Sequence, residues 1–330
     1  MPHRHELRLS GSEPMEQTAR HCLAIADWQA STIKAVLAQA QSFLEVVGRP
    51  VKKVPLLRGK TVMNLFFEPS TRTRVTFELA AKRLSADVIS LGAQETSAQK
   101  GESLLDTLHN LEAMGIDVII VRHRQSGAAA FLARHAGPSI SIVNAGDGSH
   151  AHPTQALLDC FTIMQHKGQV AGLVVAIVGD IRHSRVARSL MRALDVLDVA
   201  ELRLCAPRTL MPADLGAYRA RPLHDLATAV RDADVVIALR LQKERMAQAL
   251  LPSEQEYFRH YGLTRAHLAM ARPDAIIMHP GPINRGVEIA GDLADDPQAV
   301  ILQQVTNGIA VRMAVLALCV AAQKSTALPG

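Results

Sequence analysis

A chain of 330 residues, 48% hydrophobic and 20% charged, holds enough apolar material for about two globular domains and excludes a disordered or fibrous protein. Its net charge of +5 scatters 36 Lys and Arg among 31 acidic residues, and only 3% are aromatic, so neither a phosphate-tracking stripe nor a stacking platform for nucleic acid is present; a small anionic ligand accounts for the excess. Cys22, Cys160, Cys205 and Cys319 lie far apart without a C-x-x-C pair, which argues for free thiols, against a zinc site, and for a reducing, cytoplasmic setting.

Residues 1–17 lack the apolar stretch of a secretory signal and read as an N-terminal arm, either a disordered end or a contact to another subunit or effector. A first domain is expected over 18–152. From Thr61 the pattern alternates: strand "TVMNLFF", a helix, strand "DVISL", helix "ESLLDTLHNLEAMG", strand "DVIIVRH", helix "GAAAFLARHA" and strand "SISIVNAG". A long helix from Pro153 then joins a second domain over 153–307, with strands "LVVAIVGD", "ELRLCAP", "DVVIALR" and "AIIMHPGP". Val- and Ile-rich runs separated by amphipathic stretches predict an α/β fold of two doubly wound domains, each a mainly parallel sheet flanked by helices. The last apolar segment, "GIAVRMAVLALCVAAQ", is too short to span a bilayer and carries Arg312; it predicts a buried helix over 308–330 that packs back on the first domain.

Such sheets bind ligands beyond the carboxyl ends of their strands, which directs attention to the residues following each strand. The first set is "FFEPSTRTRVTFELAAKRL". Pro69 and Ser70 end a strand, and Val75 and Leu79 at helical spacing mark the helix that follows, so Ser70 to Arg74 occupy a helix start. One hydroxyl suffices for a cap. Ser70, Thr71 and Thr73 together, with Arg72 and Arg74 set against the positive end of the helix dipole, favour a bound phosphate over ordinary capping.

Arg122 ends "DVIIV" and is placed either at the surface or as a second clamp on the same phosphate. In "HPTQ", Pro153 suits the first helical position and His152 and Gln155 share a helix face. Taken alone this is a cap, but the preceding "NAGDGSHA" brings backbone close to a ligand, and a neutral imidazole there donates to a carbonyl oxygen as it becomes an oxyanion. "TSAQKGES" lacks the Walker spacing and "VVAIVGDIRHSR" lacks G-x-G-x-x-G, so nucleotide-binding motifs are absent.

In order and spacing, "FFEPSTRTRVTFE", "VRH", "NAGDGSHAHPTQALLD", "GDIRHSR", "LRLQKER" and "HPGPINRGVEI" resemble the catalytic chains of aspartate carbamoyltransferases, across about residues 18 to 325. The Ser-Thr-Arg-Thr-Arg and His-Pro-x-Gln motifs are shared with ornithine carbamoyltransferases; "HPGP", Lys100 in "KGES", and Arg240 with Gln242 suit a dicarboxylate acceptor instead of ornithine. The resemblance implies transfer of the carbamoyl group from carbamoyl phosphate to the α-amino group of L-aspartate, in de novo pyrimidine biosynthesis, without metal or cofactor. Another amine acceptor, or a non-catalytic homologue within an assembly, is the alternative.

By the same resemblance, Ser70, Thr71, Arg72, Thr73 and Arg122 hold the phosphate. Thr73, Arg122 and His152 polarise the carbonyl, and Gln155 with the Pro280 to Pro282 backbone orients the carbamoyl nitrogen. Arg185, Arg240 and Gln242, beside Gly281 and Pro282, hold aspartate, and Lys100 reaches both substrates. Ser97 and Lys100 are expected to enter the site of a neighbouring subunit in a homotrimer, with regulatory or dihydroorotase-type chains as further partners and none involving nucleic acid or membrane. Two departures stand out. Val186 replaces a threonine usual after the arginine, and Gly281 replaces a bulkier residue, a change expected to affect aspartate affinity.

Overall fold

The computed structural model describes residues 20–92, 101–216, 218–245 and 253–326. The order is α1 (Ala30–Gly48), β1 (Thr61–Phe66), α2 (Thr71–Arg83), β2 (Asp87–Gly92), α3 (Leu104–Ala113), β3 (Val118–His123), α4 (Ala128–His135) and β4 (Ser141–Asp147), then α5 (Pro153–Lys167). There follow β5 (Val174–Val178), α6 (Arg185–Val196), β6 (Glu201–Cys205), β7 (Ala220–Leu223), α7 (Leu226–Val230), β8 (Val235–Ala238), α8 (Glu254–Tyr261), α9 (Arg265–Leu268), β9 (Ile276–Met278), α10 (Gly291–Ala294) and α11 (Ile301–Thr326).

Two sheets result, ordered β2-β1-β3-β4 and β7-β6-β5-β8-β9, and every paired strand is parallel. Runs such as Val62 to Phe66 and Val235 to Ala238 are buried throughout, as strands covered by helices on both faces must be. In the first sheet the chain winds outward from β1 to β2 and then reverses to β3; in the second it winds from β5 through β6 to β7 and reverses to β8. The crevices between the ends of β1 and β3, and between β5 and β8, are therefore the topological switch points where ligands bind. Ser70 to Thr73 and Arg122 line the first, while Arg185, Arg240 and Gln242 follow the strands of the second.

One apolar core runs through both units, from Val62 and Val118 under the first sheet to Val175 and Ile177 under the second, with α5 and α11 between them. Helix α11 packs on α1, α2 and α5, so the chain returns to the first unit as expected. It starts at Ile301, seven residues before the predicted Gly308, and its apolar span Ile301–Gln323 (mean hydropathy 1.8) has the length of a bilayer crossing, contrary to the shorter segment read from sequence. Its packing is that of a core helix: 72% of that window is buried in the protein.

Two further differences have local causes. Strand β7, with Arg221 and Pro222, pairs only with β6, and proline is tolerated at that edge because one side of the strand needs no donor. The buried face of α2 is Thr73, Thr76, Phe77, Ala80 and Ala81, whereas Val75 and Leu79 point to solvent at 43% and 37% exposure. Their helical spacing is real, but the stripe they mark faces outward.

Candidate active site

Strand β1 stops four residues before α2, and Ser70 takes the N-cap in extended conformation. Its side chain accepts no bond from the first turn, and no acidic residue stands in that turn. The N–H groups of an uncapped helix start, with the positive dipole end, remain available to an anion. Thr73 is buried here, Thr71 is exposed, and Arg72 is half-buried. Burial lowers the pKa of Arg72, with Asp159 opposing the effect.

The next strand pair brings Arg122 alongside, because Phe66 at the end of β1 registers with Arg122 in β3. Arg122 donates from Nη1 to Ala145 O (3.1 Å) and from Nη2 to Glu68 Oε1 (2.7 Å). The same carboxylate accepts two bonds from Arg185, 2.6 Å at Oε1 and 3.2 Å at Oε2, and one from Arg245 at 3.4 Å. Burial pushes Arg122 down to about 9, and Arg185 adds to that while Glu68 opposes it. For Glu68, burial acts upward but the bonds and charges of Arg185, Arg122 and Arg245 outweigh it and hold the carboxyl below its usual range. Gly146, at φ +115°, is where the β4 end passes these arginines: a Cβ there would lie 2.8 Å from Arg185 Nε and 3.0 Å from Arg122 Nη1. The glycine-rich loop thus admits guanidinium groups, where sequence suggested close approach to a ligand.

His152 precedes α5 and is 4% exposed, its backbone N–H donating to Ser189 Oγ and its Nδ1 without a partner. Burial first, then Arg122, Arg185, Arg312 and Arg72, holds its pKa well below the usual histidine range. The imidazole is therefore neutral and has one N–H to offer an oxygen. Three residues on, Gln155 Nε2 donates to Asp159 Oδ1 at 3.0 Å, which leaves its carbonyl oxygen to accept from an amide N–H. Gln155, Arg72, Pro280 and Arg312 line one small cavity.

The "HPGP" turn closes that cavity. Arg72 Nη2 donates to Pro280 O, and a cis bond joins Gly281 to Pro282. His279 accepts at Nδ1 from Gly281 N (2.7 Å), which directs its Nε2 to Glu288 (3.1 Å). Gly281 adopts φ +64°, and a Cβ there would overlap the Arg72 guanidinium. A bulkier residue at 281 requires Arg72 to sit elsewhere, so the departure noted in the sequence bears on Arg72.

On the other side of the cleft, Arg240 donates to Gln242 Oε1 (3.2 Å) and pairs with Glu244, and Gln242 N donates to Asp180 Oδ2 (3.2 Å). Arg245, in the same segment, reaches Glu68, so this loop meets Arg122 and Arg185 at one carboxylate. Arg185, expected to hold aspartate, is at that meeting point with its fork directed to Glu68 and Gly148 O. Ser97 and Lys100, like the N-terminal arm, lie outside the described residues. Sequence reading missed Glu68, Arg245, Asp159, Gln304 and Arg312. For Glu68 a signal was present: an acidic residue just past a strand end, four positions before Arg72 and six before Arg74.

Comparison with known proteins places this geometry. The profile described as aspartate/ornithine carbamoyltransferase, carbamoyl-P binding domain, matches residues 20–165, and that described as the Asp/Orn binding domain matches 171–319. An aspartate transcarbamoylase from Trypanosoma cruzi, solved with carbamoyl phosphate, superposes with a TM-score of 0.82 at 30% identity, over 91% of this chain and 96% of that one. The catalytic subunit of M. jannaschii aspartate transcarbamoylase gives 0.80 at 35% identity, over 92% and 98%. The ornithine carbamoyltransferase of Pyrococcus furiosus gives 0.80 at 31%, over 91% and 96%.

Proposed function

The chain belongs to the aspartate/ornithine carbamoyltransferase family, and from that premise we propose that it transfers a carbamoyl group from carbamoyl phosphate to the α-amino group of L-aspartate. The observation that carries the reading is the uncapped start of α2 beside Arg72, Arg122 and an uncharged His152. This is a cradle for an acyl phosphate whose carbonyl carbon is to be attacked. The aspartate nitrogen forms the new C–N bond, and the C–O bond to phosphate breaks. Charge developing on the carbonyl oxygen is met by Thr73, Arg122 and the His152 N–H, while Gln155 and Pro280 O accept from the carbamoyl NH2. The amine proton leaves with the departing phosphate, so no side-chain base is needed. Rate comes from juxtaposing two anions among guanidinium groups and excluding water as the two units close.

Arg185, Arg240, Gln242 and Arg245 make the acceptor side cationic, which favours a dicarboxylate over the diamino acid ornithine. Product formation from aspartate and not from ornithine supports the reading; turnover of ornithine instead, or of neither, overturns it. The product is N-carbamoyl-L-aspartate, a precursor in pyrimidine synthesis.

We further propose a homotrimer in the cytoplasm, with Ser97 and Lys100 completing a neighbour's site. Supporting this, Val75, Leu79 and Ile89 expose apolar side chains on α2 and on β2, the strand that leads into residues 93–100. Mixing Arg72→Ala and Lys100→Ala proteins after dissociation tests it. Hybrids that regain activity support shared sites, and inactive hybrids count against them.

A further inference from the structure

Helix α11 carries an arginine toward the phosphate cavity that the reaction as described does not use. Arg312 is 3% exposed. Its Nη1 donates to Gly308 O one turn earlier (3.2 Å), its Nε has no partner, and among the described residues it pairs with no carboxylate. Its guanidinium carbon lies 4.9 Å from the ring centroid of Phe77, on the helix whose start forms the cradle, and its side chain lines the same cavity as Arg72, Gln155 and Pro280. Asp159 bears on both Arg72 and Arg312 electrostatically, but its Oδ1 is taken by Gln155 and Gln304, and burial raises its pKa to about 7, so it compensates them incompletely near neutrality.

The chain accommodates this charge by construction. A glycine inside a helix costs about 1 kcal/mol relative to alanine, and a Cβ at Gly308 would lie 2.6 Å from Arg312 Nη1. A glycine likewise makes room for Arg72, at position 281. A buried guanidinium without a carboxylate opposes folding unless an anion arrives.

We propose that Arg312 is a positioning residue for the phosphate: it holds Arg72 toward the entering anion by like-charge repulsion and adds a buried charge which that anion neutralises. This rests on the reading of the α2 start as a phosphate site, but not on the identity of the amine acceptor.

The test compares Arg312→Met with unaltered protein, using inorganic phosphate as probe in calorimetry and thermal unfolding, alongside steady-state kinetics. The variant is expected to melt no lower than the parent without ligand, to bind phosphate about tenfold more weakly, and to raise the KM for carbamoyl phosphate while leaving that for aspartate unchanged. A lower ligand-free melting temperature with phosphate affinity intact makes the residue purely structural and overturns the proposal. Gly308→Ala, which keeps the arginine but crowds it, supplies a second variant: weaker phosphate binding supports the role and unchanged binding opposes it. If the unaltered protein shows no phosphate response, the cradle itself is refuted, and this role with it.

Discussion

Helices α2 and α6 both follow a parallel strand, both have serine at the N-cap and both carry arginine in the first turn, yet Ser184 caps α6 whereas Ser70 leaves α2 uncapped. At α6, Ser184 Oγ accepts from Ala187 N at 3.1 Å, and Arg185 folds into the interior toward Glu68 and Gly148 O. That helix end satisfies one of its own donors and serves as an anchor. At α2 the first-turn donors have no side-chain cap. The same sequence grammar yields a capped helix start in one place and an uncapped one in the other, and the difference lies in where the N–H groups find their acceptors.

Glu68 joins the two helix starts, so removing its charge is the severest way to break the comparison. Glu68→Gln leaves Arg122, Arg185 and Arg245 without their shared carboxylate, and urea unfolding should show a loss of about 3 kcal/mol. A loss below about 1 kcal/mol, the scale of an exposed pair, would mean that solvent already screens the three guanidinium groups. Next comes the hydroxyl expected on the developing oxyanion. Thr73→Val should lower kcat by about a hundredfold with the melting temperature nearly unchanged. An equal loss in stability would assign Thr73 to packing.

The third prediction concerns pH, through the carboxyl behind the α2 start. Asp159 is fully buried and its pKa is raised to about 7 from 3.8, burial being the main cause. The folded state therefore holds a proton, between about pH 4 and 7, that the unfolded chain releases. Asp159 contributes stability that is complete below its unfolded pKa and is lost as pH rises through about 7. Unfolding free energy attributable to this residue should fall across that window. Asp159→Asn should flatten the profile while preserving the bonds from Gln155 and Gln304 to Oδ1. Parallel stability curves for the two proteins would remove Asp159 as the titrating group.

How much of this was legible in the sequence follows from the range of each signal. The strands β1, β3, β5 and β8 are continuous Val- and Ile-rich runs whose burial needs no partner to be foreseen, and Pro153 announces α5 by its own geometry. Residues near strand ends are placed by the chain itself, which is why the positions of Ser70, Arg72, Arg122, His152 and Arg185 in the fold were legible in advance. Glu68 and Arg245 are 177 positions apart and meet only through the folding of both units. Gln304 reaches Asp159 across 145 positions in the same way. Arg312 was visible only as an interruption of an apolar segment; its neighbours come from α2, α5 and α11 at once. Pairing across such separations leaves no local pattern. The outward-facing Val75 and Leu79 show the converse, a period that marks the helix without saying which face is buried.

The smallest effects test the comparison most directly, because they exchange the two serines one at a time. Ser184→Ala removes a cap in use, and about 1 kcal/mol of stability should be lost, read as a lower midpoint in urea with binding of phosphate unchanged. Ser70→Ala removes a hydroxyl that caps nothing in the structure, so its stability should stay within about 0.5 kcal/mol of the parent while phosphate affinity declines. The two variants should thus separate in opposite senses, one in stability alone and the other in binding alone. If Ser70→Ala destabilises the ligand-free protein as much as Ser184→Ala does, then α2 is capped in solution and an entering phosphate must displace that cap. Its affinity would then be set by a competition between the serine and the anion for the same N–H groups, and the distinction between scaffold and site would reduce to which acceptor is stronger.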